Sequence, residues 1–227
     1  LKTNISSSFI EIFLHGGTLL SILFYWRKAL ILDVKTIING NYTMLYNIIV
    51  ATIPAAVVGF LFKDQIDAYL FDINNISYLS VSYLFLSGVL FFTRNNISNN
   101  RNDILLKYAF IIGLAQCFAI IPGISRAGIT IDTALYIGID SKNSTKFSFM
   151  LAIPILFVSF FGSLVENYSL FTVSRMFWPL ILGFLSSFVV GYLTIGFLIN
   201  IIKKDRLWYF SVYCLSLSFI LIYYNGI

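Results

Sequence analysis

Charge is scarce in this sequence. Of 227 residues only 11% are charged, against about 25% in an average soluble domain, so a water-facing surface of ordinary size cannot be assembled from them. Cysteine is nearly absent too. Cys117 and Cys214 both lie inside apolar runs, far apart and without CxxC spacing, which excludes a disulfide framework and a thiolate metal site and leaves two small buried hydrophobes. Histidine occurs once, at His15 within Phe13-Leu14-His15-Gly16-Gly17. It is read as a helix-packing residue with a local hydrogen bond, not as a proton carrier. The formal net charge is +5, but no basic stripe interleaved with aromatics accompanies it, so no nucleic-acid partner is expected. Such an excess suits cytoplasmic loops that meet anionic headgroups. The opening Leu1-Lys2-Thr3-Asn4 has neither Met nor a basic n-region before a short apolar stretch, and is read as the start of a fragment or an edited chain, not as a signal peptide.

What the sequence holds instead is apolar: 59% hydrophobic and 18% aromatic residues. A bilayer span takes roughly 20 such residues, so the length accommodates six or seven spans in one transmembrane domain, 1–227, with short loops. Near-spanning runs predict helices at Phe9–Trp26, Met44–Phe62, Ile76–Thr93, Ile104–Ile121, Phe147–Val165, Phe177–Ile202 and Leu207–Tyr224. Between the fourth and fifth lies Pro122–Lys146, too polar for a lipid-facing span and too apolar for an ordinary loop. Irregular backbone at membrane depth survives only where protein or a wet cavity covers it, so a re-entrant helix-loop-helix over about 104–141 is predicted. With that segment returning to its starting side, the positive connections at 27–43, 94–103, 140–146 and 203–206 share one face, the cytoplasmic one, and the negative 63–75 lies opposite.

The stretch from Gln116 to Thr130 carries the chemistry. Pro122 ends one helix, Gly123 permits a sharp turn, and Ser125 stands where a second helix is capped. A helix start flanked by Arg126 is a ready anion site, and the guanidinium fork suits phosphate. Ser125 and Thr130 supply hydroxyls, for contact or as a nucleophile. An arginine at a helix end also snorkels to headgroups, and spacing alone leaves both roles open. Ile5-Ser6-Ser7-Ser8 aligns without gaps on Ile124-Ser125-Arg126-Ala127, each run preceding a helix that begins with Phe, which fits an architecture of inverted repeats with broken helices. Glu11 is a weaker candidate, as an intramembrane carboxylate. Gly59, Gly88, Gly183 and Gly191 read as close helix packing.

At Gln116–Thr130 the sequence resembles the undecaprenyl-diphosphate phosphatase family, also called bacitracin-resistance proteins, whose signature there is PG-x-SR-x-G-x-T. The resemblance extends to Gly113-Leu114-Ala115-Gln116, Lys146–Pro154, Ala51–Ala56 and Gly191-Tyr192-Leu193, about 220 residues in all. It implies an all-α integral membrane protein, a multi-span helical bundle with inverted repeats and re-entrant helix-loop-helix segments, in the bacterial inner membrane. The implied activity removes the terminal phosphate of undecaprenyl diphosphate. Ser125, Arg126, Thr130 and Ser7 would be catalytic; Pro122, Gly123, Arg126, Gly128, Ser6 and Gln116 would bind the polyprenyl diphosphate lipid. A divalent cation, Mg or Ca, is implied with no ligands identified, and self-association into a homo-oligomer is left open.

The family's first signature, E-x-x-x-E-F-L-P followed by I-S-S-S-G-H, remains only as Ile5-Ser6-Ser7-Ser8. Ser125 to Phe147 spans 22 positions where Ser6 to Phe9 spans 3, so the first re-entrant arm is expected to be incomplete and turnover slow. Two other readings stay open at this point: a polyprenyl-phosphate transporter, and a relative that binds lipid diphosphate without turning it over.

Overall fold

In a computed structural model of the chain, residues 7–62, 76–92, 101–166 and 174–225 are described. They form α-helices in the order α1 (Ser7–Tyr25), α2 (Arg27–Ile38), α3 (Thr43–Leu61), α4 (Ile76–Phe92), α5 (Leu106–Cys117), α6 (Arg126–Tyr136), α7 (Ser141–Glu166), α8 (Ser174–Lys203) and α9 (Tyr209–Asn225). No strand ladder occurs among the described residues, and the protein is an all-α membrane protein. Among the described residues three helices are long and apolar enough to cross a bilayer: Thr43–Leu61, Ser141–Val165 and Trp178–Lys203. They carry large apolar side chains outward, with Phe60 83%, Val158 71% and Leu193 65% exposed. A soluble fold would bury such residues; a bilayer accepts them.

The helix starts differ from the hydropathy reading in two places. Residues 27–43 are not a loop, since most of them are α2. The 140–146 segment is the opening of α7, which begins six residues before Phe147. Its cap is Asp140, whose Oδ1 accepts from the N–H groups of Lys142 and Asn143, both at 3.0 Å. The predicted connection at 63–75, and residues 94–100 of the one at 94–103, lie outside the described residues.

The chain divides into two compact units, one of residues 1–40 and 149–199, the other of 41–148 and 200–227. In the first, α1 and α8 meet through small residues. A Cβ on Gly17 would lie 2.9 Å from the Ser187 Cβ and 3.0 Å from the Phe188 nitrogen, and one on Gly191 would lie 2.7 Å from the Ser21 Oγ. Ser187 Oγ donates to the Leu14 carbonyl at 2.7 Å. Such close approach replaces the hydrophobic drive that lipid cannot supply between helices. Ile22, Ile195 and Ile199 form the buried cluster beside it, packed by Phe149, Ile153 and Leu156 of α7. Gly183 and Gly191 thus pack closely as expected. Gly59 and Gly88 do not; a Cβ on either would meet nothing within 4 Å.

In the second unit α4 pairs with α9, tied by Ser87 Oγ donating to the Ser211 carbonyl at 2.9 Å and Ser218 Oγ to the Ser80 carbonyl at 2.8 Å. The α5–α6 segment, from 101 to 140, is a hairpin whose ends meet. Arg101 N–H donates to the Gly138 carbonyl at 3.2 Å, and Asp140 N–H to the Arg101 carbonyl at 3.0 Å. Its outgoing arm is α5 plus a 3-10 turn at Phe118–Ile120, and its returning arm, α6, has 11 residues, about 16 Å at helical rise and too short to span. The helix-loop-helix predicted over about 104–141 is present as this hairpin.

Candidate functional site

At the tip of that hairpin the backbone turns at Gly123, with φ +90°. That is a left-handed conformation which costs a non-glycine residue about 1–2 kcal/mol. The turn also fits under α4, because a Cβ at Gly123 would lie 3.1 Å from the Ser82 Cβ. Ser125 then caps α6: its Oγ accepts from the Gly128 N–H at 3.1 Å. A Cβ at Gly128 would come within 3.1–3.2 Å of the Ser125 side chain, so glycine here relieves crowding at the cap. Ser125 remains exposed.

Arg126 is the first residue of α6. Its Nε and Nη2 both donate to the Gln116 Oε1, at 2.8 and 2.7 Å. One acceptor therefore fixes the plane of the guanidinium. Gln116 is 2% exposed and its amide is oriented in turn, Nε2 donating to the Ala51 carbonyl on α3 at 3.5 Å. That approach depends on Gly113, one turn earlier, where a Cβ would lie 2.5 Å from the Ala51 oxygen and 2.8 Å from its Cα. Pro54, inside α3, has no N–H to give the Val50 carbonyl, so one helical hydrogen bond is missing next to the carbonyl that Gln116 reaches. Farther along α3, Asn47 Nδ2 donates to the Ile104 carbonyl at 2.6 Å and pins the start of the hairpin.

One turn behind Arg126, Thr130 is 1% exposed. Its Oγ1 lies 2.8 Å from the Arg126 carbonyl and 2.6 Å from the Ser148 Oγ on α7. The far end of α6 closes on Gly138, whose N–H reaches the Leu135 carbonyl at 2.9 Å, while Ile139 N–H reaches Ala134 at 3.0 Å. Arg101 Nη1 covers the Ile137 carbonyl at 2.9 Å and also donates to the Tyr108 hydroxyl, a cation at a helix C-terminus that favours the macrodipole.

Of the residues singled out in the sequence, the structure brings together Gln116, Gly123, Ser125, Arg126 and Gly128, with Thr130 and Pro122 in the same hairpin. Ser6 lies outside the described residues, and Ser7 opens α1. Gln116 holds Arg126, a role that no local pattern signals, because the two residues are ten apart across a turn. Ser148 and Ala51 were missed for the same reason: each acts from a neighbouring helix. Among the described residues no three of His, Cys, Asp or Glu converge, and Gln116 Oε1 is taken up by the Arg126 fork.

What the geometry offers is anion recognition. The first N–H groups of a helix have no intrahelical acceptors; in α6 that of Gly128 is taken up by the Ser125 cap, beside the first-residue Arg126 and the exposed Ser125. Over residues 1–220 the chain matches the family described as "Bacitracin resistance protein BacA". It is 33% identical over 216 residues to a Bacillus thuringiensis (strain Al Hakam) protein named "Undecaprenyl-diphosphatase 2", covering 90% of this chain and 79% of that one. A Bacillus licheniformis protein named "Undecaprenyl-diphosphatase 1" is 31% identical over 232 residues, 94% of this chain and 83% of the relative. The "Undecaprenyl-diphosphatase" of Methanobrevibacter smithii is 31% identical over 229 residues, 92% and 81% respectively.

Proposed function

Because this chain belongs to the bacitracin resistance protein BacA family, we propose that it is a membrane hydrolase that removes the terminal phosphate of undecaprenyl diphosphate. Water supplies the oxygen that ends on inorganic phosphate, the bridging P–O bond breaks, and undecaprenyl phosphate is left to carry cell-wall precursors again. The natural setting is the bacterial inner membrane, crossed several times. A transporter or an inert binding relative is not favoured, since the relatives are named as phosphatases.

The observation that carries the site is the Gln116-held Arg126 at the start of α6. Phosphoryl transfer asks a protein chiefly for positioning and for charge stabilisation. A guanidinium whose plane is set before the substrate arrives supplies both without reorganising. Ser125, exposed beside it, offers a hydroxyl to the terminal phosphate. Thr130 is placed to hold α6 against α7 and so supports the pair from behind.

The test is Arg126→Lys, which keeps the charge and loses the planar fork. Phosphate release from undecaprenyl diphosphate and binding of the lipid by the purified full chain should both fall at least ten-fold. An arginine that only snorkels to the headgroups would tolerate lysine, and unchanged binding and rate in that variant would sink the assignment.

A further inference from the structure

The helix α2 has no buried residue at all, yet it is not disordered in sequence character: its outward face is highly organised. Arg27, Ile31, Val34 and Ile38 follow one another at spacings of four, three and four, one stripe of a helix. Lys28, Leu32 and Lys35 form the adjoining stripe. All seven are exposed, with Ile38 77% and Leu32 60% accessible. The inward side holds the half-buried Ala29, Leu30, Asp33, Thr36 and Ile37. Every cation of the helix is therefore on the outward face together with four large aliphatic residues, and its one acid is on the inward side.

Neither water nor the core of a bilayer suits that face. Water does not favour four adjacent exposed aliphatics, and 12 residues cover about 18 Å, short of the roughly 30 Å hydrocarbon core. The level at which α2 begins is marked independently. At the end of α1, Tyr25 and Trp26 meet edge to face at 5.6 Å between ring centroids, and Tyr25 meets Tyr192 of α8 at 5.4 Å. Trp and Tyr gather at the headgroup level of membrane proteins. Arg27, directly after them, turns back so that Nη1 donates to the Phe24 carbonyl at 2.8 Å, closing α1 and letting the chain change direction.

We infer that α2 lies flat in the headgroup layer and is a binding surface for anionic phospholipid: Ile31, Leu32, Val34 and Ile38 enter the acyl boundary, and Arg27, Lys28 and Lys35 meet the lipid phosphates. An interfacial helix of this kind draws its strength from buried apolar area plus attraction to anionic lipid.

The experiment places a single environment-sensitive fluorophore at Ile38→Cys in the full chain, with Cys117 and Cys214 replaced by Ala, in nanodiscs of phosphatidylcholine with and without one quarter phosphatidylglycerol. Quenchers are shallow spin-labelled lipids with either a zwitterionic or an anionic headgroup, and aqueous iodide. Lipid quenchers should reach the label and iodide should not, and the anionic quencher should be preferred. Salt at 0.5 M should erase that preference without moving the label's depth. Lys35→Gln should lower the preference by up to about five-fold, the effect of one surface charge at an anionic leaflet. Quenching by iodide alone would overturn the inference, as would equal quenching by the two lipids. Shielding from all three quenchers, lost when the chain is diluted among nanodiscs, would show a second copy covering α2 and would overturn it too. The salt arm needs no charge variant and so does not depend on how Lys35→Gln folds.

Discussion

A single oxygen, Gln116 Oε1, accepts from both Nε and Nη2 of Arg126 across the tip of the α5–α6 hairpin, at 2.8 and 2.7 Å. The pair fixes the side chain proposed to recognise phosphate. Hydrogen bonds to a charged group contribute about 1.5–3 kcal/mol, and here two depend on one acceptor. Gln116→Leu should lose at least ten-fold in lipid-diphosphate binding and should also melt earlier, because Arg126 is left half-buried without that acceptor. Gln116→Glu keeps an acceptor but brings a negative charge to a phosphate site. It should retain stability while binding still falls. Thermal unfolding in detergent and a lipid-binding assay separate the two; a Gln116→Leu protein that binds normally would remove Gln116 from the site.

Ser125 combines two roles that substitution can separate. Its Oγ caps α6 through the Gly128 N–H, worth about 0.5–2 kcal/mol when lost, and the same exposed hydroxyl faces the proposed phosphate position. Ser125→Ala should lower both the melting temperature and the rate. Asparagine also caps helices well, so Ser125→Asn should recover the melting temperature without recovering phosphate release. Full recovery of the rate by Asn would reduce Ser125 to a cap.

How much of this was legible in the sequence depends on how local each signal was. The Pro122-Gly123 turn, the Ser125 cap and the α6 start were readable because each is set by residues within four positions. The break into a helix-loop-helix was readable from the polarity of Pro122–Lys146. By contrast α2 was hidden: Arg27, Lys28, Asp33 and Lys35 interrupt every window long enough to count as a span, although Ile31, Val34 and Ile38 keep helical spacing. The first two turns of α7 were hidden by their own polarity, since Asp140 and Ser141-Lys142-Asn143 look like a loop until the Asp140 cap is recognised. Gly59 and Gly88 read like Gly183 and Gly191 in the sequence, and only the neighbouring helices tell them apart.

That difference among glycines gives a third prediction. At Gly113 a Cβ would meet backbone, 2.5 Å from the Ala51 oxygen, so α3 and α5 must separate to admit it. Gly113→Ala should cost about 1–3 kcal/mol, the range for overpacking a tight core. It should also slow phosphate release, because Gln116 lies one turn away on the same face. Gly88→Ala, inside α4 with nothing within 4 Å, should be neutral or gain up to about 1 kcal/mol from the better helix former. A Gly113→Ala protein as stable and as active as Gly88→Ala would mean that the close α3–α5 approach does not hold the site.

Thr130 allows the sharpest division between support and chemistry. Its hydroxyl carries one hydrogen and stands 2.8 Å from the Arg126 carbonyl and 2.6 Å from the Ser148 Oγ. Both contacts are served if Ser148 donates to Thr130 and Thr130 donates to the carbonyl. Removing the Thr130 hydroxyl in Thr130→Val leaves the buried Ser148 without that acceptor and should cost about 1–3 kcal/mol. Ser148→Ala leaves Thr130 its bond to the carbonyl and should cost less. If the two hydroxyls act as one tie, the double variant Thr130→Val, Ser148→Ala should be more stable than the sum of the single losses, with a coupling of about 0.5–3 kcal/mol. The rate should follow stability through this series, and Thr130→Ser, which keeps the hydroxyl, should stay close to the unaltered chain. A hydroxyl that touches the phosphate makes a different pattern: Thr130→Val would lose rate at temperatures where it is fully folded, while Ser148→Ala would lose none. Phosphate release measured well below each variant's melting temperature distinguishes them, and the second pattern would return Thr130 to the reacting groups.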